Sequence, residues 1–479
     1  RFTDPTDPFE FVEARLPAPH HRNGRQMVSE TGFVPHAGIL TMPQFLHRYP
    51  NTDTNRNRAR ARFFYQLFLG FDVMVTQDRA WLIEVNTNGN LLGDGTLLLE
   101  KLRQSRIRRA SSKKAALNKG EAANAAAVKG ANFAAVTRSM VELAERIADL
   151  SSCVERIRFV ASGTEATMLC LRTARAATGR PKILKFEGAY HGQHPEGIAS
   201  LVGSEPPEWP QSDPAGTGAP WVERDVLVAP YNDLATTERI LTDHAADLAA
   251  VIVEPLHRCL PPVDGFLQGL REVTARHGIV LVFDEVVTGF RLALGGAQQY
   301  YGVSPDLVAY GKGLGGGFPI GAYGGHAEIM EAVNEQRLPG PNYAWSASTT
   351  GGNPVSCAAA MAAIDVFSEP GVYDRLHSLG GQLRKALGQA LDQAGETAQV
   401  LGDGPLAQAA FLDRPVQSHR DWLAADRQRG RAVMLELLRL GVFLNPMGTK
   451  LYLSLAHSEN EIDELADHFS AALKITRQA

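Results

Sequence analysis

Cysteine is scarce in this chain: four among 479 residues, Cys153, Cys170, Cys259 and Cys357, with no CxxC pair. That spacing excludes a disulfide framework and a cysteine zinc site, and it fits a reducing, cytoplasmic compartment. Long hydrophobic runs are missing as well. No uninterrupted apolar stretch approaches the ~20 residues of a membrane helix, and the first residues lack the charged-then-apolar pattern of a signal peptide. A soluble protein without a membrane partner is expected. Nor does one sign of charge dominate, since 48 Lys and Arg stand against 52 Asp and Glu for a net charge of −4. Nothing drives the whole chain toward nucleic acid or anionic lipid. Small molecules are the expected partners.

What is there is ordinary globular material, 44% hydrophobic and 21% charged, which rules out a wholly disordered, collagen-like or coiled-coil chain. At ~150 residues per domain the length predicts two or three cores. Four segments are expected: an N-terminal part over 1–100, a basic and Ala-rich linker over 101–129, a large domain over 130–370 and a smaller α+β domain over 371–479. The basic run from Lys101 to Lys119 has no aromatics interleaved for stacking, so it reads as a solvated helix or linker and not as a nucleic-acid surface. From about residue 129, helical patterns alternate with short apolar runs, the signature of βα units and a mostly parallel sheet in an α/β fold. Residues 204–220, rich in Pro, Ser and Gly, read as a long loop. In the last hundred residues Gly441–Leu444 and Leu451–Ser454 read as strands before a final amphipathic helix.

Two apolar runs, Ala249–Val253 and Gly278–Phe283, are continuous in the way of strands buried on both faces. Each ends in acid, Glu254 and Asp284, and in open α/β sheets ligands sit beyond the carboxyl ends of strands. Gly265–His277 supplies a crossover helix between them. A buried carboxylate such as Asp284 wants a cationic or hydrogen-bonding partner. The segment Val160-Ala161-Ser162-Gly163-Thr164-Glu165 runs from a strand into a helix. Free amides and hydroxyls there bind a phosphate, or Ser162 is simply an N-cap. Lys312 sits among glycines in Tyr310-Gly311-Lys312-Gly313-Leu314-Gly315. It is either a solvated loop lysine or a desolvated one that forms a Schiff base with a carbonyl.

Taken together, Ser162-Gly163-Thr164, Tyr190-His191-Gly192, Glu254-Pro255, Asp284-Glu285-Val286-Val287-Thr288-Gly289-Phe290-Arg291 and Gly311-Lys312-Gly313 resemble the class III aminotransferases of fold type I. Within them the chain is similar to glutamate-1-semialdehyde aminomutase-like members, through Arg158-Phe159-Val160 and Phe186-Glu187-Gly188-Ala189-Tyr190-His191-Gly192. The resemblance spans about residues 130–475 and implies a large domain with a mostly parallel seven-stranded sheet. It also implies pyridoxal 5′-phosphate as cofactor, an amino donor and a carbonyl acceptor as small-molecule partners, and no metal. By that match Lys312 is the Schiff-base lysine and proton carrier, and Asp284 keeps the pyridine nitrogen protonated. Ser162, Gly163 and Thr164 hold the phosphate, Tyr190 and Val286 cover the two ring faces, and Glu254 belongs to the site or braces its loop. Thr349 corresponds to the threonine that reaches the phosphate of the neighbouring subunit, which implies a homodimer. His191 is assigned a structural hydrogen bond.

Two departures bear on substrate. The aminomutases carry a glutamate shortly before Ser-x-Ala-His, whereas Gly448-Thr449-Lys450 precede Leu453-Ser454-Leu455-Ala456-His457 here, with no carboxylate. The family arginine that grips a second carboxylate is also missing near the C-terminus, with Lys450 as a substitute. An aminotransferase is therefore favoured over the aminomutase. Residues 34–100 resemble the end of an ATP-grasp ligase of the tubulin–tyrosine-ligase-like type, in which Asp72, Glu84 and Asn86 would copy the magnesium ligands. An ordinary hairpin turning at Asp78-Arg79 is the other reading, and a ligase–aminotransferase fusion is the alternative function it leaves open.

Overall fold

The computed structural model describes residues 21–22, 25–26, 72–75, 80–83 and 113–477, apart from residue 134 and the stretches 203–205, 338–339, 341 and 445–449. The chain divides into two compact units, Arg1–Gln104 and Ser105–Ala479. In the first, β1 (His21–Arg22) pairs antiparallel with β2 (Arg25–Gln26), and β3 (Asp72–Val75) pairs antiparallel with β4 (Ala80–Ile83). The register from Asp72↔Ile83 to Val75↔Ala80 is that of two strands flanking Asp78-Arg79. Glu84 and Asn86 lie outside the described residues.

The second unit is built on seven strands: β5 (Arg156–Val160), β6 (Lys182–Phe186), β7 (Val226–Ala229), β8 (Leu248–Val253), β9 (Val280–Glu285), β10 (Leu307–Tyr310) and β11 (Gly321–Gly325). They lie in the order β5-β11-β10-β9-β8-β6-β7. Every pairing from β10 to β7 is parallel, and only β11 runs against its neighbours. The sheet is therefore mostly parallel, as the alternating pattern implied. The apolar runs are continuous because both faces are covered: along β8 and β9, Val251, Val253, Leu281 and Phe283 enter one core while Ala250, Ile252, Val280 and Val282 enter the other. A period-2 strand cannot present a polar face where both sides are packed. The helix Phe266–His277 is the crossover between β8 and β9, bounded by Gly265 and Gly278 with φ of 80° and 60°. At Gly278 that left-handed turn lets the amide of Ile279 close back on the Thr274 carbonyl at 2.9 Å and stop the helix.

Residues 101–129 contain a helix, Lys113–Ala127, which packs against the helix Pro354–Phe367. The second lobe holds an antiparallel sheet of β12 (Gln399–Leu401), β13 (Leu406–Ala410) and β14 (Lys450–Tyr452). Helices Val372–Ala394, Arg427–Arg439 and Glu459–Arg477 cover it. Leu379, Leu383, Leu387 and Leu391 recur at helical spacing and fill the core with Phe411, Leu451 and Phe469. Gly441–Leu444 is not a strand. Gly441 has φ 94°, the Val442 amide returns to the Leu437 carbonyl at 2.9 Å, and those residues are consumed in capping the preceding helix. The sheet recruits β12 and β13 in their place. The four cysteines are free and buried.

Candidate active site

The parallel topology brings residues from four strands to one edge. Asp284 is the penultimate residue of β9 and lies directly beside Ala309 of β10, so the backbone leaving β10 delivers Lys312 next to it. Glu254 leaves the end of β8, and the segment after β6 carries Tyr190 and His191. Asp284 is 5% exposed, and its two oxygens have separate partners. Oδ1 accepts the Val286 amide at 3.1 Å, and Oδ2 lies 2.7 Å from Nδ1 of His191. Because the carboxylate can only accept, Nδ1 carries the proton. Burial lowers the His191 pKa from its ordinary 6.5, against the upward pull of Asp284, so the ring is a neutral donor and not an ion-pair partner. Its Nε2 is buried without a partner. The neighbouring acid, Glu285, points to the other face. It accepts from the amides of Ala297 and Gln298, the Gln298 side chain and the Thr288 hydroxyl at 2.6–3.1 Å. Burial pushes its pKa up despite those bonds. Two consecutive acids thus have different work because successive strand residues face opposite ways.

The helix Gly163–Thr178 starts at the same edge. The Ser162 hydroxyl is engaged as its N-cap, accepting the Glu165 amide at 3.2 Å, while the Glu165 carboxylate returns to the Ala161 amide at 2.8 Å. That leaves Gly163 and Thr164 with first-turn amides that no helical carbonyl can reach, at the positive end of the macrodipole. A Cβ on Gly163 would stand 2.8 Å from Val286, and one on Gly311 would stand 3.2 Å from the same side chain. Val286, Gly163 and Gly311 therefore form one tight wall that only glycine backbone permits.

Lys312 opens a short 3-10 turn, Lys312–Gly315, with φ of 38°. Left-handed backbone in a lysine is costly and is held only where the surroundings dictate it. Its side chain is solvent-accessible. The protein around it lowers its pKa from the ordinary 10.5 through desolvation, opposed by Asp284 and Glu254. The Glu254 carboxylate accepts the Tyr190 amide at 2.9 Å and the Arg258 amide at 3.0 Å. Burial alone would raise its pKa, but Arg258, His257, His191 and the Tyr190 amide together pull it down to about 2. Both oxygens are thus occupied in bracing the loop. Tyr190 is half-buried, its hydroxyl accepts Gln193 Nε2 at 3.0 Å, and the Arg258 guanidinium stands 5.7 Å from its ring centre. Thr349 is exposed.

Two further residues shape the site without having been legible as functional in the sequence. Lys185 is fully buried on β6, where its ammonium donates to the carbonyls of Ala189, Gly197 and Ala199 at 2.6–3.1 Å. It ties down the segment that carries Tyr190 and His191. Arg420, from the second lobe, forks onto Glu187 at 3.0 Å just before that segment and lies 4.0 Å over the Trp209 ring. Only a lysine inside an apolar strand run hinted at the first, and nothing local hinted at the second. Among the described residues no cluster of His, Cys, Asp and Glu could hold a metal ion.

Residues 114–473 match the family model described as Aminotransferase class-III. The glutamate-1-semialdehyde 2,1-aminomutase of Pelotomaculum thermopropionicum is 43% identical over 357 residues, covering 72% of this chain and 79% of that protein. Among solved structures, an omega-transaminase from Sphaerobacter thermophilus is 38% identical with a TM-score of 0.70, over 75% of this chain and 83% of that one. A transaminase with PLP bound is 31% identical with a TM-score of 0.67, over 75% of this chain and 82% of that one.

Proposed function

Because the chain belongs to the class-III aminotransferases and is a pyridoxal-phosphate-dependent enzyme of the transaminase and aminomutase kind, we propose that it moves an amino group between a separate amino donor and carbonyl acceptor, with Lys312 and Asp284 as catalytic residues. The observation that carries this assignment is the meeting of Lys312 and Asp284 at adjacent strand ends, each perturbed or partnered in the sense the chemistry needs.

The residues fit the cofactor. Val286 packs so closely on Gly163 and Gly311 that its side chain is held as one fixed wall of the site. The first amides of the helix at Gly163 and Thr164, with the Thr164 hydroxyl, suit a phosphate, since the Ser162 hydroxyl is taken by its cap. Val286 and Tyr190 stand to cover the two ring faces, and Asp284, whose oxygens each accept one bond from His191 or the Val286 amide and are oriented by them, keeps a second lone pair for the pyridine nitrogen. Bound pyridoxal phosphate supplies the electron sink for charge developing at the substrate carbon. Lys312 then has two tasks. Its amine, made easier to deprotonate by the partial desolvation of the surrounding protein, would hold the cofactor and would carry the proton to and from the substrate carbon. Asp284 holds the proton at the ring nitrogen. Glu254 acts through Tyr190 and so positions the stacking residue.

Lys450, in place of a carboxylate before Ser454-Leu455-Ala456-His457, favours a transaminase over an aminomutase, which needs no separate acceptor. The exposed Thr349 supports a homodimer in which it reaches the phosphate in the neighbouring subunit. The test is the absorbance of the purified protein with added cofactor, before and after a panel of amino donors, with borohydride trapping. A yellow band bleached by one donor, a trapped adduct on Lys312 and its loss in Lys312→Ala with unchanged circular dichroism are expected. A protein that stays colourless with cofactor overturns the assignment. Sedimentation at half the dimer mass would remove the dimer.

A further inference from the structure

We infer that the short helix His419–Leu423 is a clamp through which the second lobe sets the place of Tyr190 over the cofactor ring, with Arg420 as the positioning residue and His419 as its seat. This rests on the aminotransferase reading and adds to it a part for the second lobe on one face of the ring.

The helix is held so that it presents these two side chains. A capping box closes its first turn: the Ser418 hydroxyl accepts the Asp421 amide at 3.3 Å, and the Asp421 carboxylate accepts the Ser418 amide at 3.0 Å. Just ahead of the cap, the Gln417 carbonyl accepts Nδ2 of Asn232 from the large domain at 3.3 Å. His419 lies against the backbone of Gly188, where any Cβ would overlap its ring. Gly188 has φ of 74°, so both the turn and the contact call for glycine. Burial first, then Arg258 and Lys185, lowers the His419 pKa to about 4, and the ring packs there uncharged.

Arg420 supplies the directional part. Its Nε and Nη2 fork onto the two oxygens of Glu187, each at 3.0 Å, and Nη2 also donates to the Pro207 carbonyl at 2.7 Å. The Trp209 ring beneath the guanidinium adds a cation–π contact. Glu187 is 3% exposed, and among the described residues Arg420 is the only group that donates to its carboxylate. A carboxylate so buried destabilises the fold once its partner is removed, so Glu187 stays where Arg420 holds it.

Glu187 and Tyr190 are three residues apart, joined through the Gly188 turn. The other holds on this stretch reach its backbone. Glu254 takes the Tyr190 amide, Lys185 the Ala189 carbonyl, Arg258 Nε the Gly188 carbonyl at 3.3 Å, and the Ser200 carbonyl the Gly188 amide at 3.0 Å. Those four come from the large domain, whereas the grip on Glu187 comes from the second lobe. The bidentate fork adds an orientation that single backbone bonds do not. A shift of the second lobe therefore reaches Tyr190 through Glu187 and Gly188.

The test follows the holoenzyme by the circular dichroism of its cofactor band, by the rate of cofactor release on dilution, and by urea unfolding. Arg420→Gln leaves Glu187 buried and unpaired. It should speed release about 10- to 100-fold, as losing a hydrogen-bonded charge pair does, and weaken the dichroism of the band. Adding Glu187→Gln removes the stranded charge and should restore part of both. Arg420→Lys keeps the charge without the fork and should fall between, and it carries the same readouts if Arg420→Gln does not fold. The control is Arg429→Gln, which breaks a fork onto Glu396 inside the second lobe. It should lower the urea midpoint and leave both cofactor readouts as in the wild type. Unchanged cofactor readouts in the Arg420 variants, or an equal change in Arg429→Gln, overturn the clamp and leave a yellow enzyme. A wild-type protein that stays colourless with added cofactor fails the aminotransferase reading, and the clamp with it.

Discussion

Replacing Gly163 by alanine sets two effects of opposite sign against each other. Alanine at the first helical position gains roughly 0.5–1 kcal/mol over glycine in backbone propensity. The added Cβ, however, would sit 2.8 and 2.9 Å from the two γ-carbons of Val286, and overpacking of a tight wall costs about 1–3 kcal/mol. Retreat is blocked because Val286 also packs against Gly311, whose own Cβ position is 3.2 Å away. The clash should win, leaving Gly163→Ala less stable by about 1–2 kcal/mol. Val286→Ala alone removes two methylene equivalents at ~0.8 kcal/mol each. Combined with Gly163→Ala it also removes the clash and leaves the propensity gain. The double variant should therefore be slightly more stable than Val286→Ala by itself, with a coupling of about 1–3 kcal/mol. Urea unfolding of the wild type, both single variants and the double variant measures this cycle. Strict additivity, within about 0.5 kcal/mol, would refute the idea that the two side chains share one space.

The remaining expectations concern charge and positioning. His191→Phe leaves one oxygen of Asp284 without its donor, so the half-reaction with a good donor should slow about 10- to 100-fold, and His191→Asn should recover part of the rate. Equal rates in stopped flow would show that the pairing does not matter to catalysis. Glu254 has its pKa lowered from the ordinary 4.5 to about 2. Its charge therefore stabilises the fold fully above 4.5, and that contribution disappears as pH falls through about 2. Acid titration of the urea midpoint should be shallower in Glu254→Gln over that window, and identical slopes would contradict the account. Lys185→Met removes one donor from three buried carbonyls and should cost about 2–3 kcal/mol or more near neutral pH, with weaker cofactor retention as the Tyr190 segment loosens. A gain in stability would mean that desolvation of the ammonium outweighs its hydrogen bonds.

Much was legible before any coordinates. Strands β8 and β9 were written as continuous apolar runs because a sheet covered on both faces permits no alternation. An acid ending a buried strand singled out Asp284, whereas Lys312 by itself read equally as a loop lysine and took its role only from the resemblance. The family resemblance rested on short local motifs, set out in order from Ser162 to Gly313. What only the tertiary structure decided involves partners far apart in the chain or backbone angles that residue names do not encode. His191 meets Asp284 across 93 positions, and no local pattern marks that pairing. Ser162 and Glu254 were both recognisable as belonging to the site, yet their hydroxyl and carboxylate are taken by neighbouring amides, a competition settled only once the loops are placed. Gly441–Leu444 has the composition of a strand, yet the left-handed turn at Gly441 returns the Val442 amide to the Leu437 carbonyl and spends the segment in capping a helix. The Cys259 thiol meets the Ala407 carbonyl across 148 positions, a contact between the lobes that no local pattern marks. Sequence records local periodicity and chemistry, whereas charge balance at a site depends on which groups the fold has already paired.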